Sequence, residues 1–176
     1  MLERKMTVRL LEWKESSAAK VFILLGARQT GKTYAVRHFA HANYSNYLEV
    51  NFLDDQENGR FLAGARSSEE LVSRLSLIAG HELSPDTLVF FDEVQELGHD
   101  VVTLSKVLVE DGRFRLVLSG SLLGTRLKGV RSFPVGYARV ERMYPLDFEE
   151  FCWAMGVPQT ILDSVGRSFA EKTPVE

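Results

Sequence analysis

Four groups of residues in this chain have types and spacing that could do chemistry. The first is Gly26-Ala27-Arg28-Gln29-Thr30-Gly31-Lys32-Thr33, which follows the apolar run VFILL at 21–25 and precedes a helix-friendly stretch. Its two glycines permit backbone conformations and close approaches that a side chain would block, and successive N–H groups of such a loop can converge on phosphate oxygens. A helix beginning near Lys32 adds its positive end. In this reading residues Gly26 through Tyr34 cradle a nucleotide's phosphates. Lys32 reaches the β- and γ-phosphates and the Thr33 hydroxyl ligates Mg²⁺. An accidental glycine turn is the bland alternative, and the placement between a strand pattern and a helix pattern weighs against it.

The second group is Asp92-Glu93, at the end of LVFFDE (88–93). Four apolar residues place Asp92 at the C-terminal end of a buried strand, the edge at which open parallel sheets bind ligands. Asp92 is then expected to hold Mg²⁺, and Glu93, one residue on, to polarise an attacking water. Without the upstream loop the pair would read as solvated acids. The third group is Ser119 and Ser121 in LVLSGS, two candidates for a polar contact to the γ-phosphate, with Ser121 preferred because it lies nearer the strand's mouth. The alternative is two serines that merely cap a loop.

The fourth group is basic: Arg126, Lys128, Arg131, Arg139 and Arg142, opposed only by Glu141. Three readings compete for it: a solvated surface loop, an arginine finger reaching a γ-phosphate in the same or a neighbouring subunit, and a nucleic-acid contact strip. Arg139 is the preferred finger. His38, His41, His81 and His99 have no metal-like spacing.

These groups need elements to hold them. The runs VFILLG (21–26), YLEVNF (47–52), TLVFFDEV (87–94) and RLVLSGS (115–121) suit strands buried on both faces, with helical patterns between them. Such alternation implies a parallel sheet with right-handed crossovers. Ser67 to Glu70 reads as a capping box opening a helix whose buried face is Leu71, Leu75 and Ile78 and whose stop is Gly80. Leu2, Met6, Leu10 and Trp13 recur at helical spacing, so residues 1–18 read as an amphipathic packing helix. Residues 122–145 read as a basic loop or hairpin. In 146–176, Asp147 and Glu150 cap one helix that ends at Gly156, Leu146 can staple to Phe151, and a second short helix runs from Pro158 to Phe169.

Composition bounds the rest. A chain of 176 residues with 45% hydrophobic content is one domain's worth, with a single core. A net charge of −3 argues against a generally nucleic-acid-coating surface. Cys152 is the sole cysteine, so no intrachain disulfide forms and a reducing, cytoplasmic setting fits. The N-terminus MLERKMTVRLLEWK has no apolar leader, and no run approaches the ~18 apolar residues of a membrane span.

The order of the motifs brings in a resemblance. A strand between the phosphate loop and Asp92, together with a glutamate directly after that aspartate, resembles the additional-strand class of P-loop ATPases. No Asn-Lys-x-Asp for guanine is present, so adenine is the expected base. The segments LLGARQTGKT, VFFDEVQEL, LVLSGSLLG and YPLDFEEF resemble, in that order and over roughly residues 20 to 155, an AAA+-related prokaryotic ATPase domain usually followed by a C-terminal domain that is itself similar to restriction endonucleases. The resemblance implies a three-layer α/β fold with the parallel order 5-1-4-3-2. It also implies roles for Lys32, Thr33, Asp92, Glu93 and the sensor serine. Family members carry Gly-Arg shortly before the Pro-Leu segment, and the nearest match here is Gly136-Tyr137-Ala138-Arg139. The usual C-terminal domain is missing from this chain, as in a shortened piece or a naturally short relative.

The expectation is therefore a single ATP-binding domain over 1–176, with a core at 20–121, that binds Mg-ATP and hydrolyses it slowly to ADP. It would act as a switch or motor for a partner or a DNA-associated process, as a homo-oligomer or with another protein. Two rivals stand beside it. One is a small-molecule phosphotransferase in which residues 126–142 form a lid, and the other is a nucleotide-gated binding module without turnover.

Overall fold

The computed structural model describes residues 3–16, 19–97, 100–121 and 137–172. In chain order the elements are α1 (Lys5–Glu15), β1 (Val21–Gly26), α2 (Lys32–Asn43), β2 (Asn46–Asn51), α3 (Gln56–Ala63), α4 (Ser68–Ala79), β3 (Thr87–Asp92), a 3-10 turn (Val94–Glu96), α5 (Asp100–Asp111), β4 (Arg115–Ser121), β5 (Ala138–Met143), α6 (Phe148–Ala154) and α7 (Gln159–Glu171). The five strands pair in the order β2-β3-β4-β1-β5, every pair parallel. This is the 5-1-4-3-2 order that the resemblance implies. Residues 122–136, with Arg126, Lys128 and Arg131, lie outside the described residues, so the lid and nucleic-acid readings of that stretch do too.

The two-residue period of the strands sorts the core into two layers. Val21, Ile23, Val89, Phe91, Leu116 and Leu118 face the side where Leu62 of α3, Leu71 and Leu75 of α4 and Leu104 and Leu108 of α5 are buried. Phe22, Leu24, Leu88, Phe90 and Val117 face the other side, against Leu10 and Trp13 of α1 and Val36 and Phe39 of α2. Each fully buried Phe or Leu contributes roughly 1.5–3 kcal/mol. The interior strand β3 is buried at every position. β2 is an edge strand and departs from the expectation of burial on both faces: Leu48 and Val50 are buried, while Tyr47 and Glu49 are only partly covered. Arg37 of α2 lies along that face and grips both carboxylate oxygens of Glu49 at 2.7 Å.

The helix ends follow local chemistry. Ser67 accepts the Glu70 N–H at 3.1 Å, and Gly80 closes α4 at φ 74°. The Glu70 carboxylate bonds the Arg66 N–H instead of the Ser67 N–H, so only half of the expected capping box forms. At α6 both halves are made, Asp147 with the Glu150 N–H and Glu150 with the Asp147 N–H. The expected Leu146–Phe151 staple is not a buried contact, since both side chains are exposed. α7 runs two residues beyond the expected Phe169 and buries none of its residues.

Candidate nucleotide-binding site

The loop from β1 to α2 is held by its own groups. Gly31 sits at φ 89° as the N-cap of α2, and Gln29 also has positive φ, at 62°. Gly26 is needed for a different reason. A Cβ there would lie 2.4 Å from the Met143 carbonyl oxygen, so a second backbone, the end of β5, occupies the space. Lys32 is buried and donates to the Gly26 and Ala27 carbonyls at 3.1 and 2.9 Å. Its ammonium has three donors, so it can bind both carbonyls and still face a phosphate. Thr30 Oγ1 bonds the Ala27 carbonyl at 3.0 Å. Ala27, Arg28 and Gln29 form the exposed tip. Tyr34 is exposed on the first turn of α2, stacked on His38 at 6.3 Å.

The two motifs meet where the pleat brings them. Asp92 has the parity of Leu88 and Phe90 and therefore faces α2, whose first turn carries Thr33. Thr33 Oγ1 donates to Asp92 Oδ2 at 2.6 Å. Ser119 has the parity of Val117 and reaches the same carboxylate from β4, donating to Oδ1, which also accepts the Glu93 N–H at 2.9 Å. Asp92 is 1% exposed. A buried carboxylate with one oxygen fully engaged and the other facing a threonine hydroxyl is a hard oxygen pair of the kind Mg²⁺ takes. Thr33 and Asp92 are the residues that would hold the ion. Among the described residues no cluster of three or more His, Cys, Asp or Glu forms a separate metal site.

Glu93 follows with a left-handed backbone, φ 52° and ψ 43°, a conformation that costs a non-glycine residue about 1–2 kcal/mol. The strained residue opens the 3-10 turn, and its carboxylate Oε2 accepts from Gln95 Nε2. Ser121 ends β4 level with Gly26 of β1, and its backbone N–H donates to Gln95 Oε1 at 3.3 Å.

Arg139 is not brought to this site. It pairs in register with Phe22, whereas the loop leaves β1 at Gly26, which pairs with Met143. Four residues along a strand span about 13 Å. Its guanidinium bonds Glu12 of α1 at 2.7 Å and Glu141 at 2.9 Å, and the Glu12 bond raises its already high pKa further. For a finger from the same subunit this is a correction: the residue sits towards the opposite end of the strand, tying β5 to α1.

Two side chains at the site went unread in the sequence. Gln95 is one. The other is Arg4, the residue before α1, which is 5% exposed. Its Nη1 donates to the Thr30 carbonyl and its Nη2 to the Tyr144 carbonyl, each at 2.8 Å, and its Nε lies 3.1 Å from Glu150 Oε1. The segment that opens with Arg4 and α1 is thus more than packing, because Arg4, at the helix's N-cap, braces the phosphate loop. Gln95 stands two residues after Glu93 in a turn-forming stretch, which is a weak signal. Arg4 carries none.

The parallel five-stranded sheet with its phosphate loop and strand-end acid has the α/β fold of P-loop nucleotide-binding domains. Residues 18–152 match the family model described as "AAA domain", and the chain belongs to that family. No curated protein matches it. Among solved structures, "The walker-type atpase paby2304 of pyrococcus abyssi" is similar to all of this chain and 60% of that chain, with a TM-score of 0.55 and 18% identity. "Structure of C. elegans PCH-2" covers 94% of this chain and 45% of that chain, with a TM-score of 0.47 and 17% identity. At 18% identity the likeness to the Pyrococcus protein speaks to the fold alone, and the chain spans about half the length of these two proteins.

Proposed function

We propose that this domain binds Mg-ATP on the Gly26–Tyr34 loop and hydrolyses it slowly. The observation that carries the reading is the 2.6 Å bond from Thr33 Oγ1 to Asp92 Oδ2, which joins two motifs 59 residues apart at the mouth of the sheet. Lys32 and the loop N–H groups bind the phosphates, and the α2 N-terminus adds its partial positive charge. Thr33 and Asp92 hold Mg²⁺, which when bound neutralises phosphate charge. Glu93 takes up the proton of the attacking water as its oxygen closes on the γ-phosphorus and the bond to the ADP oxygen breaks. Ser119 keeps Asp92 aimed, and Ser121 lies at the γ-phosphate end of β4.

Turnover in this reading drives a switch or motor for a protein partner or a DNA-associated process, in a homo-oligomer or a larger assembly within the cytoplasm. Among the described residues no helix is long and apolar enough to cross a membrane. The test is calorimetry with ATP and GTP, with and without Mg²⁺, beside single-turnover phosphate release at high protein concentration and with DNA added. Tighter ATP than GTP binding that needs Mg²⁺, with phosphate release free of any acceptor, is the expected result. Binding without release above buffer replaces this reading with the gated module. Release only with a small-molecule acceptor replaces it with the phosphotransferase.

A further inference from the structure

Gln95 is 8% exposed and makes two hydrogen bonds with opposite ends of one amide. Its Oε1 accepts the backbone N–H of Ser121 at 3.3 Å, and its Nε2 donates to Glu93 Oε2. A backbone N–H is only a donor, so it fixes which end of the carboxamide points to β4 and leaves the NH₂ for the carboxylate. A single side chain therefore ties the tip of β4 to the strained residue after β3.

We propose that Gln95 is a positioning residue for ATP hydrolysis, one that holds the Glu93 carboxylate and couples its aim to the end of β4. This rests on the reading of Glu93 as the group that polarises water. A glutamate side chain has three rotatable bonds, and only a small part of its range puts an oxygen on a water lined up with the γ-phosphorus. The left-handed backbone at φ 52° fixes where that range begins, and the Gln95 amide fixes where it ends. A displacement of ~1 Å at such a group costs on the order of 10²-fold in rate. The link to Ser121 adds direction: a shift of β4 against β3 moves the amide and, with it, the carboxylate.

A buried glutamine can also serve only to satisfy neighbouring polar groups, and a double-mutant cycle separates the two roles. Gln95→Ala, Gln95→Met, Glu93→Gln and the double variant Glu93→Gln/Gln95→Ala are made in the full chain. Each is measured for single-turnover phosphate release, ATP affinity by calorimetry and thermal unfolding. Methionine keeps the length and volume of glutamine without its hydrogen bonds, so it serves if alanine fails to fold. The expected result is a fall in turnover of about 10- to 100-fold in Gln95→Ala and Gln95→Met with ATP affinity within about twofold of wild type. The double variant should be no slower than Glu93→Gln alone, because Gln95 then has no base to aim. Wild-type turnover in both Gln95 variants overturns the proposal, as does a loss that adds in full to that of Glu93→Gln. If wild type releases phosphate and Glu93→Gln does not, either result removes the role of Gln95 alone. If wild type releases none, the hydrolysis reading and this proposal fall together.

Discussion

The Arg4 guanidinium donates to the Thr30 carbonyl at 2.8 Å, so a residue ahead of the first helix supports the phosphate loop from behind. The same guanidinium meets Glu150 at the start of α6, where the carboxylate also accepts the Lys5 N–H at 2.8 Å. Removing one partner of such a buried pair leaves the other charge stranded, which costs about 3–5 kcal/mol. Arg4→Ala is expected to lower stability by that order and to weaken ATP binding in the fraction that stays folded. Arg4→Met with Glu150→Gln removes both charges, keeps an amide oxygen near the Lys5 and Asp147 N–H groups, and should recover much of the stability while leaving the loop unbraced. Urea unfolding of both variants, with ATP calorimetry, checks this; equal losses in the single and the double would show that the ion pair is not the cause.

Lys32→Ala should remove most ATP affinity. Charge-assisted bonds to phosphate oxygens contribute roughly 1.5–3 kcal/mol, or about 10- to 150-fold in Kd. The variant also frees the Gly26 and Ala27 carbonyls that the ammonium now binds. Calorimetry with Mg-ATP reads the effect, and wild-type affinity would remove the phosphate-loop assignment.

Glu93→Gln keeps size and leaves the Thr33–Asp92 pair untouched while lowering basicity. Turnover should fall by ~10² to 10⁴ and ATP affinity should hold. Single-turnover phosphate release measured beside affinity separates the two, and a rate equal to wild type would exclude Glu93 as the base.

Gly26→Ala and Gly80→Ala make a matched pair. At Gly26 the added Cβ meets a backbone oxygen at 2.4 Å, whereas at Gly80 it meets nothing within 4 Å and only the positive φ resists it. Gly80→Ala should cost about 1–2 kcal/mol. Gly26→Ala should cost more, because relief requires β1 and β5 to part at the loop itself. Thermal unfolding of the two variants ranks them; a milder effect at Gly26 would mean that β5 yields easily.

What the sequence made legible was local. The strands followed from short apolar runs, and their order from the family resemblance. The meeting of Thr33 with Asp92 needed only the parallel order and the two-residue pleat. What stayed hidden depends on approach between distant parts of the chain. Arg139 looked like a free cation beside a glycine-rich stretch, but strand register sets it beside Glu12, 127 residues away. Arg4 carries no local signal, because its contacts are 26 and 140 residues on. Ser119 meets Asp92 through the parity it shares with Val117, a relation that nearness to the strand's mouth does not reveal.

The brace between Arg4, Tyr144 and Glu150 also sets a clock on the newborn protein. Synthesis adds about 5–20 residues per second, so roughly 6 to 24 seconds pass between the making of Lys32 and the making of Glu150. Through that interval the phosphate loop has its glycines and its lysine but not its support, nor the β5 backbone that closes on Gly26. Nucleotide gripped in the finished manner therefore reports that the ribosome has passed residue 150, and a nascent chain halted earlier should hold it poorly.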